Sequence, residues 1–294
     1  MDQHAADNDW KNATSQASPQ ARTSVTDAVG KARGVLRHDR EAGAFHHARV
    51  APGAPLRAFV EHFWIVRWDL RGHAPQRRET LPHPNVHLVI ERGRTRIFGV
   101  HSARFTRLLE GAGCVFGVKF RPGGFRPFLR RSVATIANGS LSLRDVFGSA
   151  ADTLEDDVLA CADDDGRIDA ASRFLGAHLP APDANVERAA GIVADIARDR
   201  GMTRVEELAR RHGTTMRALQ RLFNDYVGVG PKWVIKRYRL HEAVEQLNAD
   251  LPVDWAALAL DLGYFDQSHF IRDFRRLVGR PPADYAAREG AADD

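Results

Sequence analysis

The strongest constraint on this 294-residue chain is a pattern written twice in its last third. In the first copy, residues 204–213 spell a short amphipathic helix stopped by Gly213. Thr215 then stands as N-cap of a second helix, with Leu219, Leu222 and Phe223 as its apolar stripe. In the second copy, residues 254–262 turn Trp255, Leu258, Ala259 and Leu262 inward, Gly263 breaks the helix, and Asp266 caps a helix from Gln267 to Val278. Each copy predicts helix, tight turn, helix. Between them Pro231 opens a long helix running past Trp233 and Arg239 to Ala243.

What the first copy exposes bears on chemistry. Arg217, Gln220 and Arg221 lie off the apolar stripe. Arg pairs bidentately with guanine and Gln with adenine in the major groove, so these residue types suit direct base reading. On an isolated helix the same side chains would simply be solvated; two capped helix-turn-helix units give them a geometry in which to act. Lys232, Lys236 and Arg237 on the connecting helix, with Thr215 at the first cap, suit phosphate positioning.

This segment resembles the DNA-binding domain of the AraC/XylS family of transcription regulators. The residues that carry the resemblance are 219–223 (LQRLF), Pro231 with Arg239, Leu240 and Ala243, 260–264 (LDLGY), 266–270 (DQSHF) with Phe274, and Gly279 with Pro281, Pro282 and Tyr285. It implies an all-α domain of two helix-turn-helix units on a long connecting helix, whose two recognition helices enter successive major-groove segments. By the same resemblance Gln267, Ser268 and Arg272 become the second helix's base readers, beside Arg217, Gln220 and Arg221 in the first. Ile271 stands where family members often carry a small polar residue, which leaves it an apolar contact to a thymine methyl.

Charge agrees with this locally rather than globally. The formal net charge is +4, yet residues 198–239 carry 11 Lys and Arg against 4 Asp and Glu, a local +7 over the first unit and the start of the connecting helix. DNA affinity needs such a local basic face. Residues 46–148 are more basic still, 17 against 6, whereas residues 149–185 are acidic, 2 against 9. An anionic effector on the basic segment, or its docking on the acidic one, follows as an expectation.

The N-terminal half has a different texture. Residues 1–44, rich in polar residues without regular apolar spacing, read as a disordered leader. From 45 to 180, short apolar runs at 63–66, 86–90, 97–100 and 114–120 predict strands, Pro and Gly at 82–85 and 121–124 predict turns, and 55–62 predicts a short helix. Apolar positions at helical spacing return between 140 and 180. They read as core cover, with a dimer face as the alternative. The expected fold class is therefore α+β: a small mixed β-sheet or open barrel with flanking helices, a linker at 181–184, the all-α domain at 185–288 and a tail at 289–294. Residues 59–64 (FVEHFW), 81–84 (LPHP) with 86–89 (VHLV), and 117–124 (GVKFRPGG) resemble the sensor-like N-terminal domain of a bacterial subgroup of AraC-like regulators, a resemblance that names no ligand.

Other chemistries find less support. His83, His87 and Glu91 resemble the cupin metal motif only loosely, because cupins place two His residues two apart on one strand. The turn at 121–124 lacks the Lys-Ser/Thr of a phosphate loop. Cys114 and Cys161 are too few for a disulfide framework, a four-cysteine zinc site or a metal-bound repair thiol. No run of about 18 apolar residues marks a membrane span. The expectation is a cytoplasmic, non-enzymatic regulator without cofactor. Its partners would be double-stranded DNA, RNA polymerase, a second copy of the chain and a small-molecule effector. A non-specific architectural DNA binder and a cupin-like metal domain are the alternatives.

Overall fold

The computed structural model describes residues 34, 36, 43–248 and 254–287. In chain order the strands are β1 (Ala44–Val50), β2 (Val60–Asp69), β3 (Gln76–Thr80), β4 (His87–Ile90), β5 (Arg96–Phe98), β6 (Phe105–Leu109), β7 (Ala112–Phe120) and β8 (Ser140–Leu141). Six of them form one sheet in the order β1-β2-β7-β4-β5-β8, and β3 pairs with β6 as a separate two-stranded ribbon. Every pairing between them is antiparallel.

Alternation along β2 and β7 divides the large sheet into two faces. Phe63 and Ile65 join Phe116, Val118, Phe120, Leu88 and Ile90 in a core closed by the short helices α1 (Arg126–Leu129), α2 (Arg144–Phe147) and α3 (Leu154–Leu159) and by the longer α4 (Asp164–Ala177). The 140–180 stripe thus covers its own domain. On the opposite face Trp64 and Trp68 lie across Gly117 and Gly113 of β7, where any Cβ would run into the indoles. A register shift between Val60 and His62 disturbs the alternation at the start of β2.

All four predicted strand runs are strands, while the expected short helix at 55–62 is only a 3-10 turn, Ala54–Leu56. From Val60 onward the chain is drawn into β2, since burying Val60, Phe63 and Ile65 against β7 outweighs local helical spacing. Most of the 1–44 leader falls outside the described residues. Its end is tied down: Leu36 N–H donates to Glu79 O at 3.1 Å, Leu81 N–H donates to Gly34 O at 2.8 Å, and Leu36 is buried.

The helical half comprises α5 (Ala184–Arg198), α6 (Val205–Arg211), α7 (Met216–Leu222) continued by a π-turn at Phe223–Val227, α8 (Pro231–Asn248), α9 (Trp255–Asp261), α10 (Gln267–Val278) and α11 (Pro282–Ala286). The first unit builds its core from α5 to α8, with Ile192, Ile196, Leu208, Leu219, Phe223 and Val234. The second centres on Leu240, Leu258, Phe270, Phe274 and Tyr285, and takes in Leu36 and Leu81 from the N-terminal half.

Candidate nucleic-acid interface

Both reading helices begin at a side-chain cap. Thr215 Oγ1 accepts from Ala218 N–H at 3.1 Å, and Asp266 Oδ1 accepts from His269 N–H at 2.8 Å. Each cap satisfies one of the free amides at a helix start and so fixes where the helix begins. The second carboxylate oxygen of Asp266 lies 2.8 Å from His269 Nδ1. The backbone N–H of His269, then its imidazole, hold the Asp266 carboxyl below its ordinary value. His269 is thereby engaged locally. Thr215, a phosphate candidate, uses its hydroxyl oxygen as acceptor in the cap and keeps its O–H as a donor.

The side chains named from sequence fall into three groups. Arg217, Gln220 and Arg221 are exposed on α7, and Gln267, Ser268 and Arg272 on α10. Among the described residues Arg217, Arg221 and Arg272 form no ion pair, so their guanidiniums are available. Gln220 is partly engaged: its amide donates to Asn224 Oδ1 at 2.9 Å and lies against Gly230. Ser268, Ile271 and Arg272 line an open groove of about 590 Å³ along α10, together with Arg275 and Arg276. The exposed Arg275 is one that sequence reasoning passed over, although its spacing of three from Arg272 puts both on one helix face.

On α8, Lys232 is exposed and without an ion pair among the described residues. Lys236 is also outward, but its ammonium is 3.0 Å from Asp273 on α10, a link between the connecting helix and the second reading helix. Arg237 corrects the sequence reading. It is 1% exposed, donates to Ser102 O of the sheet domain at 2.5 Å and stacks over the Trp233 ring at 4.6 Å. Burial lowers its pKa to about 10, with the nearby Arg276 adding to the effect. Arg237 shares the inner face of α8 with Val234 and His241, so it docks the sheet domain instead of facing solvent.

The sheet domain touches both units at equivalent points. After the first reading helix, Gly228 (φ 92°) packs on Val133, Ser132 Oγ donates to Asn224 O at 3.0 Å, and Arg126 pairs with Asp225 at 3.1 Å. After the second, Gly279 (φ 94°) lies under the Arg104 guanidinium, which donates to Val278 O. Both glycines are left-handed C-caps, and both must lack Cβ to admit the sheet domain. The two units are therefore held by one body at the ends of their reading helices.

The supposed metal trio is dispersed. His83 packs on His241 with ring centroids 4.2 Å apart, and Glu91 is held by Arg107, 2.8 Å at its longer contact. His87 sits on the sheet's second face near Trp64. There, burial, then Lys119 and His62, depress its imidazole to about 3. On the same side Lys119 lies 2.8 Å from Glu61; burial would raise that carboxyl, but the Lys119 ammonium and hydrogen bonds from His62 and Lys119 hold it far below the carboxylate range. Trp64 Nε1 and His101 Nε2 are buried with no hydrogen-bond partner among the described residues.

Comparison with known proteins places the two halves separately. Residues 48–142 match a domain of unknown function, DUF6597, and residues 208–288 match a helix-turn-helix domain. No curated protein matches the sequence significantly. Among solved structures, ToxT of Vibrio cholerae strain SCE256 bound to an unsaturated fatty acid is similar at TM-score 0.37 and 13% identity, over 89% of this chain and 96% of that one. An apo single-site variant of the same protein gives 0.36 and 13%, over 80% and 98%. These likenesses are distant, and nothing about ligand or promoter passes from them to this chain. Among the described residues no helix is long and apolar enough to cross a membrane. The C-terminal part of the chain is a helix-turn-helix DNA-binding domain of the AraC type, joined to a sheet domain of the DUF6597 family.

Proposed function

We propose that the protein is a sequence-specific DNA-binding transcription regulator in which the sheet domain sets the relation between two reading helices. The observation that carries this reading is the pair of capped helices, α7 and α10, presenting Arg217, Arg221 and Arg272, which have no carboxylate partner among the described residues. In this reading Arg217, Gln220, Arg221, Gln267, Ser268 and Arg272 contact base edges, with Arg275 added from the groove. Lys232 and Lys236 position phosphates, and Arg237 is withdrawn from that role.

A signal acts by favouring one arrangement of sheet domain and reading units over another, so that binding at one site changes occupancy at a second. Gly228 and Gly279 are where such a change reaches the helices. A small anionic effector, a second copy of the chain or RNA polymerase supplies the signal or reads it out.

The test is selection of full-length protein on a randomised duplex library at fixed salt. The expected result is one enriched site preferred over bulk DNA by roughly 10³ or more. Salt-sensitive binding to every duplex without enrichment contradicts the reading.

A further inference from the structure

Between the β3-β6 ribbon and the second reading unit lies a cavity of about 190 Å³. Its walls bring together Arg77 and Glu79 of β3, Arg104 of the loop before β6, and Arg280 and Tyr285 beyond α10. Arg77 and Glu79 are two apart on one strand and share a face. Three guanidiniums meet one carboxylate there, leaving the seam with a net +2. Glu79 already accepts from Thr106 Oγ1 at 3.1 Å and lies 3.4 Å from Arg104 Nε. Arg104 also donates to Val278 O, and Arg280 stacks over the Tyr285 ring at 4.9 Å. Among the described residues neither Arg77 nor Arg280 has a carboxylate partner.

Like charges gathered along the seam, where Arg280 is half-buried and Arg77 and Arg104 are exposed, repel one another unless a counter-charge is supplied. We propose that this seam is a binding site for a compact anion carrying two or more negative charges, a phosphoryl group or a short polycarboxylate. Arg77 and Arg104 hold it from the sheet domain and Arg280 from the DNA-binding domain. Guanidinium forks match the planar edge of a carboxylate and the oxygens of a phosphoryl group. The volume is below the roughly 300 Å³ at which drug-sized sites begin, which suits a compact group. Since the donors belong to both domains, the anion favours the docked arrangement. That regulatory consequence rests on the reading under Proposed function; the binding itself does not.

The test uses full-length protein without DNA. Thermal unfolding and calorimetric titration are followed with inorganic phosphate and with citrate at constant ionic strength, with chloride as control. Phosphate or citrate is expected to raise Tm by several degrees at millimolar concentration while chloride does not. The Arg77→Ala/Arg280→Ala double variant, with its fold checked by circular dichroism, should bind at least tenfold more weakly. Glu79→Gln, which removes the competing carboxylate, should bind several-fold more tightly, a gain that misfolding cannot mimic. An equal response to all three salts, or unaltered affinity in both variants, overturns the proposal. A parallel DNA titration of the same variant gives the remaining outcome: if it lowers DNA affinity and its salt dependence while anion affinity is unaltered, the arginines serve backbone phosphates and the proposal is overturned.

Discussion

The two helix-turn-helix units share one grammar and differ in how they are completed. The first draws its core residues from α5 to α8, with the sheet domain meeting it at Arg126, Ser132 and Val133, and residues 198–239 around it carry a surplus of seven basic charges. The second has no surplus, residues 254–280 holding four basic and four acidic side chains, and its core is finished by Leu36 and Leu81 from the other half of the chain. A duplicated sequence pattern has thus been given unequal dependencies. In this account the first unit supplies salt-sensitive grip, whereas the second, whose core includes Leu36 and Leu81, responds more strongly to a signal that reaches both units through Gly228 and Gly279.

The largest test of that inequality is Leu81→Ala. Leu81 is 1% exposed in the second unit's core, so truncation should cost about 2–5 kcal/mol. Denaturant unfolding should show the loss, and footprinting should show the second DNA segment weakening before the first. Equal weakening of both segments would erase the distinction.

Acid should separate the units the same way. Glu61 is held below its ordinary value of 4.5, so its contribution is present above that value and is lost as pH falls through the lower folded value. His87 is depressed from 6.5 to about 3; the unfolded chain binds its proton first, and stability drops as pH falls from about 6.5 toward 3. Both groups lie in the sheet domain. Spectroscopic titration should show the sheet signal and the second unit changing before the first unit's helices, and His87→Leu should flatten the upper part of the curve.

For base reading, Arg217→Ala is expected to cost about 1–3 kcal/mol on the selected site and little on random duplex. Equal losses on both would remove Arg217 from the base edges. Asp266→Ala should lower the Tm through the lost α10 cap, measured by thermal unfolding. Smaller again is Lys232→Ala, which should lower the salt slope of binding by about 0.9 with sequence preference unchanged. Lys236→Ala should do less, because its ammonium is already shared with Asp273.

Much of this was legible in the residues because the signals were local. The caps Thr215 and Asp266, the stops Gly213 and Gly263, and the runs that became β2, β4, β5 and β7 each announce themselves within a few positions. What escaped was set by long-range contact. β3 (QRRET) has no strand composition and is a strand because β6 pairs with it; the segment at 55–62 has helical spacing, but its end is taken by β7. Arg237 reads as a surface cation until Ser102, 135 residues away, is found beneath it. The three arginines of the seam come from residues 77, 104 and 280, and no spacing along the chain links them.

The central claim is that both units read one duplex in a fixed relation, and hydroxyl-radical footprinting of full-length protein on its selected site tests it most directly. Two protected patches on one face of the duplex, about one helical turn apart, are predicted, with Arg217→Ala thinning one and Arg272→Ala the other. A single patch, unaltered by Arg272→Ala, would contradict the account.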